Sequence, residues 1–174
     1  MYIGDRVSDK LEPIHHRIYC QRSGTSSHTQ TIAKMVRYYV DVQANELGSY
    51  PPVESAANIM RSIIYSNAGQ LSASMICSGW DPYKGYQIYS VNQTGFKKEE
   101  ECAMSGSGSV FIMGYKDANY RPDFTLEEAK AFIKTAISLA CYRDGSSDGV
   151  IRMVSITKAG VKHFFVPYND FAIK

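Results

Sequence analysis

Amphipathic helical segments and β-rich runs form separate blocks along this chain, and their order constrains the fold more than any other feature. Apolar residues recur at helical spacing over residues 26–42, and again after Pro51-Pro52 as far as Ile64. Short β-rich runs follow at residues 72–80 and 86–91, separated by turn-forming residues. The first half therefore predicts two consecutive helices and then a β-hairpin.

The second half repeats this order. A glycine-spaced stretch, Ser105–Ser109, leads into the apolar residues 110–113, where we expect a strand that gives way to a short helix. Thr125, with Glu128 three residues later, forms a capping box at the start of a long apolar helical face. Two more β-rich runs, at residues 150–157 and 161–166, predict a second hairpin.

Segregated helices and hairpins of this kind favour a layered α+β fold over repeated βαβ units. With 174 residues, the chain is long enough for one continuous core. We therefore expect a single domain over residues 1–174.

Composition argues against several classes of function. The net charge is only +2 and no basic stripe occurs, which argues against a nucleic-acid partner. No apolar run approaches the roughly 20 residues of a membrane span. The four cysteines are widely spaced and lack metal-ligand companions, so we expect free thiols in a reducing compartment, with neither a metal nor a cofactor.

Local motifs alone do not identify an enzyme. The four histidines are scattered, and no lysine follows Ser105–Ser109 as it would in a nucleotide-binding loop. For that stretch we favour a tight turn over a phosphate-binding loop, because its glycines suffice for a sharp turn.

Four segments in order resemble the signature segments of proteasome β subunits, and two shorter ones, 79–81 and 114–117, look like further landmarks of that family. The four segments are Tyr2–Leu11, Cys20–Gly24, Ser105–Ser109 and Arg143–Arg152. The resemblance implies a four-layer αββα sandwich of the N-terminal nucleophile hydrolase type, here missing its first strands. It also implies a threonine-type endopeptidase that contributes to ATP- and ubiquitin-dependent protein degradation.

The same resemblance implies partners and a location. They are other α and β subunits in stacked seven-membered rings, with unfolded polypeptides as substrates, in the cytoplasm and nucleus. No cofactor is implied.

In this family an N-terminal threonine is the nucleophile and its α-amine is the proton acceptor, since a hydroxyl needs an adjacent base at neutral pH. By the match, Lys10 stabilises negative charge on the nucleophile oxygen. Ser107, Asp144 and Ser147 match residues that orient the amine. Gly24 matches the backbone N–H of the oxyanion hole.

Arg22 matches the base of the first substrate pocket and resembles the caspase-like type, because a guanidinium there pairs with an acidic substrate side chain. Ser8, Glu12, Ser26 and Thr29 match other positions of this pocket.

Three departures qualify the match. The chain begins at Met1, so we expect the threonine, the carboxylate that partners the lysine and their strands to be missing, and the chain as given to be inactive. Asp148 replaces the usual glycine and adds negative charge near Asp144. Glu12 replaces a small hydroxyl residue and could partly neutralise Arg22.

Two alternatives remain at this stage. One is a non-catalytic structural subunit of the β ring, although such a subunit has no evident use for a buried lysine at Lys10. The other is the simpler bacterial relative that works with an unfoldase, against which the Arg22 segment and the long helix after Thr125 argue.

Overall fold

The computed structural model describes residues 3 and 5–173. Its helices are α1 (Ser26–Leu47), α2 (Val53–Ser66), α3 (Ser109–Asn119) and α4 (Leu126–Arg143), and a 3-10 turn spans Tyr168–Asp170. Its strands are β1 (Leu11–His15), β2 (Ile18–Gly24), β3 (Ala73–Asp81), β4 (Gly85–Val91), β5 (Lys97–Glu99), β6 (Ile151–Thr157) and β7 (Gly160–Val166). None of the helices within residues 3 and 5–173 is both long and apolar enough to cross a membrane.

These residues group into two compact units. The β-sheet unit comprises Lys10–Ser105 and Ile156–Lys162, and the α3–α4 unit comprises the described residues up to Asp9, Gly106–Ser155 and those from His163 onwards. The expectation of a single domain stays a prediction.

In the β-sheet unit, five antiparallel strands lie in the order β1-β2-β3-β4-β5. Helices α1 and α2 pack on this sheet. Alternate residues of β2 are buried, and Cys20 lies directly opposite Cys77 of β3. The core forms where this face meets the apolar stripes of the two helices, which include Val36, Val40 and Met60.

A buried carboxylate ties the β3–β4 turn to the start of α2. Asp81 accepts hydrogen bonds from the backbone N–H of Val53 at 2.9 Å and of Lys84 at 2.8 Å, and from the amide of Gln87 at 2.7 Å. Burial by itself would raise the pKa of Asp81, but these hydrogen bonds outweigh it and hold the pKa below its ordinary value. The turn and the helix are thereby fixed to each other.

In the α3–α4 unit, the predicted capping box is present. The Thr125 backbone N–H donates to the Glu128 carboxylate at 2.8 Å, and the Glu128 N–H donates to the Thr125 hydroxyl at 3.3 Å. Tyr115 of α3 stacks on Phe132 of α4 with ring centroids 5.3 Å apart.

The structure confirms helices α1 and α2 and the two predicted hairpins, which are β3–β4 and β6–β7. The strand expected at residues 110–113 is wrong, because these residues lie inside α3, whose first turn is closed by the Phe111 N–H donating to the Gly108 carbonyl at 3.1 Å. Ile112 is buried, while Val110, Phe111 and Met113 are exposed. Apolar residues thus do not mark a buried strand here.

Candidate active site

Three of the predicted catalytic residues meet in the α3–α4 unit. Asp144 Oδ2 accepts hydrogen bonds from the Ser107 hydroxyl at 2.7 Å and from the Ser147 hydroxyl at 2.6 Å. The other oxygen, Oδ1, accepts from the Ser146 backbone N–H at 3.0 Å. We call Ser107, Asp144 and Ser147 the Asp144 cluster.

Local structure places these side chains. Asp144 is the residue at which α4 ends, and its N–H still donates to the Ala140 carbonyl at 2.8 Å. The chain then turns, so that the Ser147 N–H donates to the Asp144 carbonyl at 3.0 Å. Ser107 comes from the glycine-spaced turn, which is closed by the Ser109 N–H donating to the Gly106 carbonyl at 3.1 Å.

The electrostatics of the cluster favour a charged carboxylate. Asp144 is buried, yet its pKa is lowered, chiefly by the hydrogen bonds from Ser107 and then from Ser147. A carboxylate held in this way is a fixed negative charge that suits an ammonium or amine partner.

The predicted specificity residues form a second group, in the β-sheet unit. The Arg22 side chain is only 9% exposed, and its Nη1 donates to the Thr29 hydroxyl at 3.2 Å. Arg22 Nε lies 3.7 Å from Glu12 Oε2. The Thr29 hydroxyl in turn donates to the Ser26 carbonyl at 3.0 Å, at the start of α1.

Gly24, at the end of β2, has a φ of 114°. A Cβ there would lie 2.4 Å from the Ser72 carbonyl oxygen, so only glycine fits this backbone. The next residue, Thr25, donates its N–H to that same carbonyl at 2.9 Å. The strand end is thus rigidly positioned, as an oxyanion donor requires.

Comparisons with known proteins identify the family of this chain. The family model described as "Proteasome subunit" matches residues 1–156. The chain is 41% identical to "Proteasome subunit beta type-6" of Dictyostelium discoideum over 97% of this chain and 79% of that protein. It is 44% identical to "Proteasome subunit beta type-9" of Homo sapiens, over 95% of this chain and 75% of that protein.

The chain belongs to the proteasome subunit family. A third relative, "Probable proteasome subunit beta type-1" of Schizosaccharomyces pombe, is 42% identical over 94% of this chain and 73% of its own length. All three relatives are β subunits, which supports a role as a proteasome core β subunit. Membership confirms the expected α+β fold of the N-terminal nucleophile hydrolase type.

Lys10, the lysine that the family resemblance assigns to catalysis, is exposed in this structure, so the expected burial is wrong. It lies immediately before β1, and its carbonyl accepts the N–H of Arg22 at 2.9 Å. Ser8 is also exposed and belongs to the α3–α4 unit. Tyr2 and Gly4, which contribute to the first resembling segment, lie outside the described residues.

The additional charge at Asp148 has a partner. Its Oδ2 lies 3.1 Å from Arg6 Nε, and its Oδ1 accepts the Gly149 N–H at 2.7 Å. The expected disturbance of the Asp144 cluster by an unbalanced charge is therefore reduced, although Arg6 is largely exposed and such a pair is weak.

Arg37 of α1 also contacts this second group, and sequence reasoning did not single it out. Its Nη2 lies 3.4 Å from Glu12 Oε1, so that Glu12 contacts two arginines. The available signal was the spacing of eight residues between Thr29 and Arg37, which places both on one face of a helix.

Among residues 3 and 5–173, no group of His, Cys, Asp and Glu side chains is arranged to hold a metal ion.

Proposed function

We propose that this proteasome β subunit contributes threonine-type endopeptidase activity with preference for cleavage after acidic residues. The observation that carries the proposal is the Arg22 guanidinium, which is buried and fixed by Thr29. A positive charge withdrawn from water discriminates strongly for a carboxylate over a neutral side chain.

In the proposed mechanism, an N-terminal threonine hydroxyl attacks the peptide carbonyl while its α-amine accepts the proton. Asp144, kept ionised by the serine hydroxyls, orients that amine. The family resemblance assigns the Lys10 ammonium to stabilising negative charge on the attacking oxygen, and the Gly24 N–H to stabilising the oxyanion of the tetrahedral intermediate.

The resemblance also supports the proposal that the subunit assembles with other α and β subunits in stacked rings. Within them it would act on unfolded polypeptides in the cytoplasm and nucleus, without a cofactor.

Arg22→Met tests the preference. In core particles isolated from cells carrying the variant, we expect kcat/KM for a peptide with Glu before the cleaved bond to fall about tenfold relative to the same peptide with Gln, because a charge-assisted contact is lost. Arg61→Met, on the exposed face of α2, is the matched control and should leave the ratio unchanged. An unchanged Glu to Gln ratio in Arg22→Met would remove Arg22 from the specificity pocket.

The second candidate function is that of a non-catalytic structural subunit of the β ring. The exposure of Lys10 favours it, because a lysine on the surface has no need of a catalytic role. Particles in which this subunit shows no cleavage sensitive to a threonine-directed inhibitor would support this candidate.

A further inference from the structure

Glu12 is shared between two arginines, and that arrangement follows from the register of the sheet. Glu12 of β1 lies directly opposite Cys20 of β2. Arg22 is two residues further along β2 and so points to the same face, diagonal to Glu12. The carboxylate reaches Arg22 Nε with one oxygen, at 3.7 Å, and Arg37 Nη2 with the other, at 3.4 Å.

Helix α1 packs against β1 and β2 and contributes two side chains to this charged group. Thr29 accepts the hydrogen bond from Arg22, and Arg37 follows two helical turns later, about 12 Å further along the axis. Arg37 does not depend on Glu12 for its position, because its Nε also donates to the Pro13 carbonyl at 2.8 Å.

We propose that Arg37 is a positioning residue for substrate specificity: by holding Glu12, it leaves part of the Arg22 charge available to an acidic substrate side chain. The proposal rests on the proposed function of Arg22. It adds Arg37 of α1 to that site and states that Arg37 increases the preference for an acidic substrate side chain.

The charge balance predicts that Arg37 strengthens the preference for an acidic substrate side chain. Arg22, Arg37 and Glu12 together carry a net charge of +1, while Arg22 and Glu12 alone would be neutral. The side chain of Glu12 is 28% exposed, whereas that of Arg22 is 9% exposed, so the shared carboxylate has more freedom to move than the guanidinium it neutralises. Without Arg37, Glu12 would pair with Arg22 alone.

A double-mutant cycle in core particles isolated from cells tests the proposal. The variants are Arg37→Gln, Glu12→Gln and the double variant, assayed with paired peptides that carry Glu or Gln before the cleaved bond. We expect Arg37→Gln to lower the Glu to Gln ratio of kcat/KM about fivefold, and Glu12→Gln to raise it by a similar factor. The changes should lie in KM for the Glu peptide, because the carboxylate is bound equally in the ground and transition states.

The decisive comparison is Arg37→Gln in the Glu12→Gln background, where it should no longer alter the ratio. Arg37→Lys, which keeps the charge, should restore most of the preference. A purely structural role would lower cleavage of both peptides alike in either background and would overturn the proposal. If Arg22→Met changes the Glu to Gln ratio and Arg37→Gln does not, the inference about Arg37 alone is wrong. If neither variant changes the ratio, the proposed function is wrong as well.

Discussion

At the scale of single residues, Asp144 shows how a side chain is given one protonation state. Two hydroxyl donors, Ser107 and Ser147, share one carboxylate oxygen, and a backbone N–H serves the other. These donors stabilise the charged form only, which is why the pKa of Asp144 is low. The cluster thus links the end of α4, the turn after it and the glycine-spaced loop.

The first prediction concerns the stability that this carboxylate contributes. Because its pKa is lower in the folded than in the unfolded state, the contribution is present above the ordinary Asp pKa of about 4 and is lost as pH falls through the folded pKa. Asp144→Ala should lower the free energy of unfolding by about 1 to 3 kcal/mol at pH 7, and by less at pH 3. Urea unfolding at both pH values measures this.

The control is Asp123→Ala, since Asp123 is highly exposed and its Oδ1 lies 3.7 Å from Arg121 Nε. It should change stability by less than about 0.5 kcal/mol at either pH. An equal loss at pH 7 and pH 3 for Asp144→Ala would show that the cluster does not depend on charge.

At the scale of elements, the N-terminus of α4 is fixed by two side chains whose pattern is recognisable in the sequence. The Thr125 hydroxyl and the Glu128 carboxylate satisfy backbone groups that the first helical turn leaves unpaired. Such a motif is local, so it was readable without any knowledge of the rest of the fold.

Thr125→Ala should therefore destabilise the protein by about 1 kcal/mol. Thr31→Ala is the control, because Thr31 lies on an exposed turn inside α1 and its hydroxyl only donates back to the Ser27 carbonyl. Differential scanning calorimetry of the two variants should show a lower melting temperature for Thr125→Ala only. Equal melting temperatures would mean that the N-terminus of α4 contributes little to global stability.

Elements that depend on distant partners were harder to predict. Strands β1 and β2 were not predicted, although alternate residues of β2 are buried, because this alternation includes Arg22 and places a charge on the core face. The polar residues of β5 carry no strand pattern, and the strand exists through its pairing with β4. The prediction of a strand at the start of α3 is wrong because a short apolar run fits the period of a strand or of a helix.

At the scale of the whole molecule, the family resemblance named the site residues and local patterns did not. Within each unit the structure brings some of them together: Ser107 with Asp144 and Ser147, and Arg22 with Thr29. Periodicity could not have predicted that Ser107 meets Asp144, which lies 37 residues later. Nor could it have predicted the contact of Arg22 with Thr29, which depends on the packing of α1 against β2. The helical spacing of Thr29 and Arg37 can be read from the sequence, but the approach of Arg37 to Glu12 depends on how α1 packs on β1.

Lys10→Ala should separate catalysis from assembly. Since Lys10 is exposed and makes its backbone contact through its carbonyl, the variant should assemble normally, yet lose cleavage by this subunit at least about a hundredfold. Native mass spectrometry and peptide turnover of isolated particles measure the two properties. Lys34→Ala, an exposed lysine of α1, is the control. Near-normal turnover in Lys10→Ala would support the structural subunit instead.

If this chain is part of a threonine peptidase subunit, the N-terminal residue of that subunit in its native particle must be the nucleophile. Core particles isolated from cells would be treated with a threonine-directed covalent inhibitor, and the mass and N-terminal sequence of this subunit determined. We expect an N-terminal threonine that carries one inhibitor molecule. A subunit that begins with another residue and remains unmodified, in particles whose other subunits are labelled, would contradict it.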